Sequence, residues 1–390
     1  MLIPAKLSNY LMLSDLIQLR KDLHKHPETS GEEKETAKRI KEELEKCGAD
    51  KIITDLGGYG VLAIFRCSSK NPKKRLLFRA ELDAISVEEE TNLPYQSSLK
   101  GAMHGCGHDG HMTILIGLAK ELQKSRPKEI DVYLLFQPSE ETGKGAARVI
   151  EVDPFKELKI DHGFALHNLP GFAENRIICK SGPFAAGSVG LDISVKGTFS
   201  HAAYPERGLN PSVTVAQLIT EIDARMKAFR DENESNKIVC TYIKMGERAF
   251  GISPGKARIG FTIRSASDEK LDSGVKLVNE IIDNVKKNFT GDISVKKVEP
   301  FRATINSDEG AGVIKIVSEK VGLDYKELKA PFPWSEDFGE FGRQFPITIF
   351  GLGAGMDILP LHSEKFDFND NLIPAGIAMF RGIVDYYQSL

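Results

Sequence analysis

Short apolar runs alternate with helix-period segments at both ends of this chain, and the alternation breaks once, near the middle. Ser14–His26 carries Leu16, Ile17, Leu19 and Leu23 at helical spacing and is closed by Pro27. Ser30 and Glu33 read as a capping box that opens a second helix, running to about Cys47 and stopping at Gly48. Val61–Arg66 and Leu76–Arg79 read as adjacent strands joined by the turn Ser68–Pro72. A helix from about Met112 to Lys124 follows, then buried strands at Val132–Phe136 and Ile160–Leu166. Such alternation favours an α/β sheet with much parallel pairing.

Near Gly182-Pro183 the character changes. Val189–Val195 alternates, Pro211–Phe229 is helical, Ile238–Ile243 and Arg258–Arg264 read as strands, and Leu271–Val285 reads as a helix. We read this as a compact two-strand, helix, two-strand, helix pattern, which resembles a ferredoxin-like α+β unit. After about Glu299 the first pattern resumes, with Gly312–Val321, Ile347–Leu352 and Leu372–Tyr387. The simplest organisation is a catalytic α/β domain in two segments, 1–184 and 298–390, with a smaller domain, 185–297, inserted between them.

Composition narrows the partners. Fifty-two basic and 55 acidic residues leave a net charge of −3, which gives no electrostatic case for nucleic acid or an anionic membrane. No apolar run is long enough for a membrane span, and Met1–Leu13 makes a poor secretory signal. Five widely spaced cysteines, an odd number, form no disulfide framework and point to a reducing cytoplasm.

Met103–His111 reads Met-His-Gly-Cys-Gly-His-Asp-Gly-His. His104, Cys106, His108, Asp109 and His111 all offer lone pairs to a metal, and the intervening glycines let the backbone turn tightly. Asp83, the pair Glu140-Glu141, His167 and His362 each stand just past the end of an expected strand. Ligands of open α/β sheets bind at the carboxyl ends of strands, so these groups converge on one location with Cys106 and His108. In the glutamate pair, one carboxylate can bind metal while its neighbour moves protons. The same residues leave other readings open: a buried cysteine beside a satisfied histidine, or a Cys106 nucleophile activated by His108 or His104.

Eight blocks then occur in order: Arg20–Glu28, Arg79–Ala84, Met103–His111, Gln137–Glu141, Leu166–Pro170, Gly197–Pro205, Ser335–Phe338 and Leu361-His362. Together they resemble the M20 metallopeptidase family and its amidohydrolase branch of hippurate hydrolases, indole-acetyl-amino-acid hydrolases and N-acetyl-diaminopimelate deacetylases. The resemblance spans about 14–385. It implies a zinc-peptidase-like α/β catalytic domain with an inserted lid that mediates dimerisation, hence a homodimer or higher homo-oligomer. By position it makes Cys106, His108, Glu141, His167 and His362 the ligands of two divalent ions, Zn²⁺ or Mn²⁺, with Cys106 able to bridge them. Glu140 becomes the general base and Asp83 an orienting carboxylate. His201 becomes the group that holds the oxyanion, and Asn210 and Arg264 become contacts to the substrate carboxylate.

The implied activity is hydrolysis of the amide bond of N-acyl amino acids. A dipeptidase or aminopeptidase on the same site, and a non-catalytic metal-binding protein, are the alternatives. Departures from the family pattern are Glu81 for Asp, Gly105 for Ala, Ser86 for Pro, Pro331-Phe-Pro-Trp334 for a run of small residues, and the unusual Ile252–Lys256. They leave the metal ligands intact and touch the substrate pocket. His104, Asp109 and His111 read as hydrogen-bond partners of the ligands. Cys47, Cys67, Cys179 and Cys240 read as small core residues.

Overall fold

The computed structural model describes residues 5–227, 229 and 236–390. The first residues of the Met1–Leu13 stretch and residue 228 of the Pro211–Phe229 reading lie outside the described residues. The chain forms two compact units. One comprises the residues up to Phe184 with Ile305–Lys329 and Asp337–Leu390; the other comprises Ala185–Thr304 with Ala330–Glu336.

The first unit is built on an eight-stranded sheet. Its strands are β1 (Lys51–Leu56), β2 (Gly60–Phe65), β3 (Lys74–Glu81), β4 (Ile130–Gln137), β5 (His162–Pro170) and β6 (Ile177–Cys179). The first unit's β11 (Tyr325–Glu327) and β12 (Ile347–Gly355) complete it, in the order β1-β2-β4-β3-β5-β12-β6-β11. The central run β4-β3-β5-β12 is parallel throughout, so four carboxyl ends share one edge. These strands are near-continuous apolar runs, as a sheet covered on both faces requires.

The two apolar runs Val61–Arg66 and Leu76–Arg79 do form strands, β2 and β3, but not neighbours. β4 lies between them, antiparallel to β2 and parallel to β3. The α3 helix (His108–Lys124) makes this possible, carrying the chain from the end of β3 to the start of β4 as a parallel crossover. β1 was not legible, because its Lys51-Ile-Ile-Thr-Asp-Leu56 sequence leaves most side chains at least partly exposed.

Pleating splits each strand between two faces. Val132, Leu134 and Phe136 of β4 join Leu76, Phe78, Phe164, Phe350 and Leu352 in one core. The apolar sides of four helices close that core: α1 (Ala5–Lys25), α2 (Lys34–Lys46), α3 and α8 (Leu372–Gln388). The α7 helix (Asp308–Val321) contributes Ile314 and Val317 to it. A short helix, α4 (Gly145–Glu151), buries Ala146, Val149 and Ile150. Cys47 and Cys179 are buried as expected, but Cys67 is half-buried and Cys240 is exposed on an edge strand of the second unit, so neither is a core residue.

The expected capping box does not form. α2 has no side-chain cap from Glu33, and the Thr36 N–H and hydroxyl donate instead to Glu28 at 2.7 and 2.8 Å. Ser30 and Glu33 point the other way, into the site described below.

The second unit has the strands β7 (Gly187–Lys196), β8 (Lys237–Met245), β9 (Lys256–Ser265) and β10 (Asp292–Phe301), all antiparallel, in the order β8-β9-β7-β10. Helices α5 (Ser212–Met226) and α6 (Asp268–Lys286) pack Leu218, Ile222, Val275 and Val278 against Leu191, Ile193, Ile259 and Phe261. The order of elements is thus β-α-β-β-α-β, the ferredoxin-like arrangement. This corrects the two-strand, helix, two-strand, helix reading: one strand precedes the first helix and one follows the second. β10 escapes a hydropathy reading because it is a mostly exposed edge strand rich in lysine, a composition that edges favour. No helix among the described residues is long and apolar enough to cross a membrane.

Candidate metal centre

Five of the expected ligands meet at the shared edge of β3, β4, β5 and β12. Ligand atoms of Cys106, His108 and His167 lie within 4.8 Å of one another, and so do those of Cys106, Glu141 and His362. Cys106 therefore belongs to two donor groups. The Cys106 Sγ is 3.5 Å from His167 Nε2. Glu141 Oε1 is 3.9 Å from His108 Nε2 and 3.6 Å from His362 Nε2.

Each ring is oriented by its other nitrogen. His108 Nδ1 donates to the Asp83 carbonyl at 2.7 Å, and His167 Nδ1 donates to the Asn168 carbonyl at 2.9 Å. Both Nε2 atoms thus carry a lone pair toward the cluster, as a metal-ligating imidazole requires. His108 Nε2 and Glu141 Oε1 are buried and have no hydrogen-bond partner. Two orphaned acceptors facing each other are expensive unless a cation lies between them. The surrounding charge fits one. Burial opposes protonation of His108, yet Glu81, Glu141 and Asp83 outweigh it and raise its pKa. The facing Glu141 carboxylate raises that of His362.

Local backbone geometry delivers these groups. Gly107 has φ +89° and caps α3, so that helix begins at His108, inside the histidine cluster. A Cβ on Gly107 would stand 2.6 Å from Asn168 Oδ1. Gly107→Ala should cost about 2 kcal/mol of stability from left-handed strain alone, and more from the clash. Urea unfolding checks this; an unchanged midpoint would contradict it. At Gly105, which departs from the family alanine, a Cβ would sit 2.5 Å from Ile85 Cδ1, so an alanine would require that side chain to move. Ser139 (φ +55°), ahead of Glu140, and His362 (φ +65°) are also left-handed, the kind of strain that accumulates at functional sites.

Glu140 is buried, and its Oε1 accepts the Asp337 N–H at 3.3 Å. One ligand atom each of His108, Glu140 and Glu141 lie within 4.8 Å of one another. Asp83 accepts from Ser30 Oγ at 2.6 Å and from the Glu141 N–H at 3.0 Å. Burial pushes its carboxyl up to about 6, against the pull of His108. Glu33 accepts from the Ser139 N–H at 2.7 Å and so holds the turn that presents the glutamate pair. These roles of Ser30 and Glu33 were missed because their spacing also satisfies a capping box. Asp337, in the Ser335–Phe338 block, receives Arg79 at 2.9 Å, Gln137 at 2.8 Å and the Ala146 N–H at 2.9 Å.

The rest of the histidine cluster divides. His111 donates to Glu81 at 2.7 Å, and Glu81 also pairs with Arg79, which settles how the departure Glu81 is accommodated. Despite burial, Arg79 and His111 hold the Glu81 carboxyl well below the usual range. Asp109 turns away from the expected ligands to His24, at 2.8 Å. His104, expected to hydrogen-bond a ligand, has both ring nitrogens buried without a partner, and burial lowers its pKa to about 3.

His24 is the centre of a buried ion network. Burial opposes its charge, but bonds to Asp109 and Glu89 raise its pKa to about 10. The unfolded imidazole titrates near 6.5, at about the ordinary value. The stability this group contributes is therefore complete below about pH 6.5 and lost as pH rises to about 10. His24→Gln should flatten that part of the thermal stability profile; identical alkaline slopes in both proteins would refute the assignment.

The other three expected residues lie on the second unit. His201 is exposed on a short ribbon with Ile252, and its Nδ1 accepts the Ala203 N–H at 3.0 Å. Asn210 holds Ser253 Oγ at 2.9 Å and the Ser212 N–H at 2.9 Å, at the start of α5. Arg264 Nη1 donates to the Pro333 carbonyl at 3.1 Å and to Ser335 Oγ at 2.9 Å.

Residues 77–386 match the profile of Peptidase family M20/M25/M40. The chain belongs to this family. An N-acetyldiaminopimelate deacetylase of Bacillus subtilis (strain 168) is 30% identical over 380 residues, covering 97% of this chain and 100% of the relative. One from Limosilactobacillus fermentum is 29% identical over 376 residues, 95% of this chain and 97% of the relative. Among solved structures, a putative aminohydrolase from methicillin resistant Staphylococcus aureus aligns with a TM-score of 0.85 at 24% identity, over 96% of both chains. The Bacillus subtilis YXEP protein, described as a dinuclear metal binding peptidase from the M20 family, aligns with a TM-score of 0.81 at 23% identity, over 97% of this chain and 99% of that one. This M20 protein is a hydrolase with the fold of those two structures.

Proposed function

We propose that this M20 hydrolase is a two-metal amidohydrolase that splits N-acyl amino acids into a carboxylate and a free amino acid. The observation that carries this is the double membership of Cys106, shared between two donor groups, with Glu140 standing next to the ligand Glu141. Full-length relatives named as deacetylases support the same class. Cys106, His108, Glu141, His167 and His362 would hold the ions, Zn²⁺ or Mn²⁺ by donor chemistry. Their orphaned, converging acceptors fit such a pair. When bound, two divalent ions polarise the scissile carbonyl and acidify water.

The chain's own residues do the rest. Glu140 takes a proton from the attacking water at its carboxylate oxygen while the Asp337 N–H keeps that carboxylate in place. Water oxygen adds to the carbonyl carbon, and the same proton passes to the leaving nitrogen as the C–N bond breaks. Asp83 fixes His108 through its carbonyl and the Glu141 backbone through its carboxylate. His201 would donate to the oxyanion, and Asn210 and Arg264 would receive the substrate carboxylate. A cytoplasmic homodimer through the second unit completes the reading, on the strength of the resemblance and the unpaired cysteines.

A screen decides it. Chelated protein, resupplied with Zn²⁺ or Mn²⁺, is offered N-acetyl and N-benzoyl amino acids beside dipeptides. Metal-dependent release of amino acid from the acyl derivatives is expected. Turnover confined to dipeptides, or an undiminished rate after chelation, would overturn the reading.

A further inference from the structure

We propose that Arg264, Phe332 and Trp334 form a subsite on the second unit for an amino acid with an aromatic side chain, so that the preferred substrates are N-acylated aromatic amino acids. This rests on the N-acyl amino acid reading above and deepens it.

Strand register sets the position of Arg264. Ala257, Ile259, Phe261 and Ile263 of β9 enter the core under α5 and α6, so Arg264 stands on the opposite face. There the segment 330–336 is pinned to the start of the unit, because the Ala186 N–H is shared by the Phe332 carbonyl at 3.0 Å and the Trp334 carbonyl at 3.1 Å. Carbonyls two residues apart that meet one donor put the side chains of 332 and 334 on one side of the strap. The two rings stack, with centroids 4.9 Å apart and planes at 19°. Pro331 and Pro333 fix φ on either side of Phe332, so the stack is rigid before anything binds.

The intervening residues hold the cation. Arg264 spends Nη1 on the Pro333 carbonyl and Ser335 Oγ, both neutral. No carboxylate among the described residues pairs with it, and burial lowers its pKa. A half-buried guanidinium without a counter-ion, with the rest of its fork unspent, suits a planar carboxylate. A half-buried ring stack beside it suits an apolar ring. A free α-carboxylate with an aromatic side chain carries both features on one carbon. The family pattern of small residues at 331–334 could not form this stack, so the preference would belong to this chain.

Trp334 is the single tryptophan, and its emission reports on the subsite directly. Full-length Glu140→Gln protein, loaded with metal, is titrated with N-acetyl-phenylalanine, N-acetyl-alanine and N-acetyl-diaminopimelate. The phenylalanine derivative is expected to shift the emission with a Kd at least about tenfold below the other two, a difference of about 1.4 kcal/mol. Phe332→Ala should erase that margin and Phe332→Tyr restore it; Arg264→Lys should weaken N-acetyl-phenylalanine about tenfold or more through loss of the fork. Equal affinities, tighter binding of the diaminopimelate derivative, or a margin that survives Phe332→Ala would overturn the subsite. Hydrolysis by the unmutated enzyme separates the two readings. Equal turnover of the phenylalanine and alanine derivatives sinks only the subsite. No turnover of any N-acyl amino acid sinks the amidohydrolase reading, while the titration still decides what the strap binds.

Discussion

Glu140→Gln is expected to cut hydrolysis about a thousandfold or more, within the range that a positioned general base contributes. The substitution is close to isosteric. The side-chain amide keeps a carbonyl oxygen that can still accept the Asp337 N–H, so the backbone around Ser139 and Glu141 has no reason to move. What is lost is the second oxygen's capacity to take a proton. Glu140 is buried, and the neighbouring carboxylates of its own unit are already engaged: Glu141 points at His108 and His362, Asp83 is held by Ser30 and the Glu141 N–H, and Asp337 is held by Arg79, Gln137 and the Ala146 N–H. The measurement is kcat/KM together with metal content. Two ions retained with activity gone is the expected pair of results. A well-folded variant at full rate would remove Glu140 from the reaction. A variant that loses an ion along with its activity would make Glu140 a ligand, consistent with its place beside His108 and Glu141.

The parts of this site that were legible in the sequence share one property. They lie at or just beyond the carboxyl-terminal part of a strand, with His167 inside β5 rather than past its expected end at Leu166, and parallel strands bring such positions to one edge whatever their order in the sheet. Asp83, Glu140, Glu141 and His167 could therefore be brought together before the order of β2, β4 and β3 was known. That order was not legible, because adjacency along the chain favours a hairpin and nothing local shows that β4 will insert. The groups that position the catalytic candidates were also illegible. Ser30 and Glu33 have the spacing of a helix cap, and only tertiary contact shows that Glu28 caps α2 while they serve Asp83 and Ser139. Asp337 arrives from some 200 residues away to meet Gln137, a pairing that no periodicity encodes.

Cys106→Ala and His362→Gly should fail in different ways, and the difference tests the shared ligand. Cys106 belongs to both donor groups, so its removal leaves His108 and His167 on one side and Glu141 and His362 on the other, too few for a tetrahedral site. Affinity for both ions should drop by more than the ~10–100-fold that outer-sphere partners cost, and activity should vanish. His362 belongs to one group only. Glycine is the suitable replacement, because φ is +65° there and the turn keeps its conformation without strain. The His362→Gly protein should retain the ion held by Cys106, His108 and His167, lose the other, and be nearly inactive, since hydrolysis in the proposed scheme needs both. Elemental analysis after exhaustive dialysis reads this directly: close to no metal for Cys106→Ala and one ion per chain for His362→Gly. If Cys106→Ala still carries two ions, the thiolate is not shared, and the donor groups are two independent sites that happen to touch.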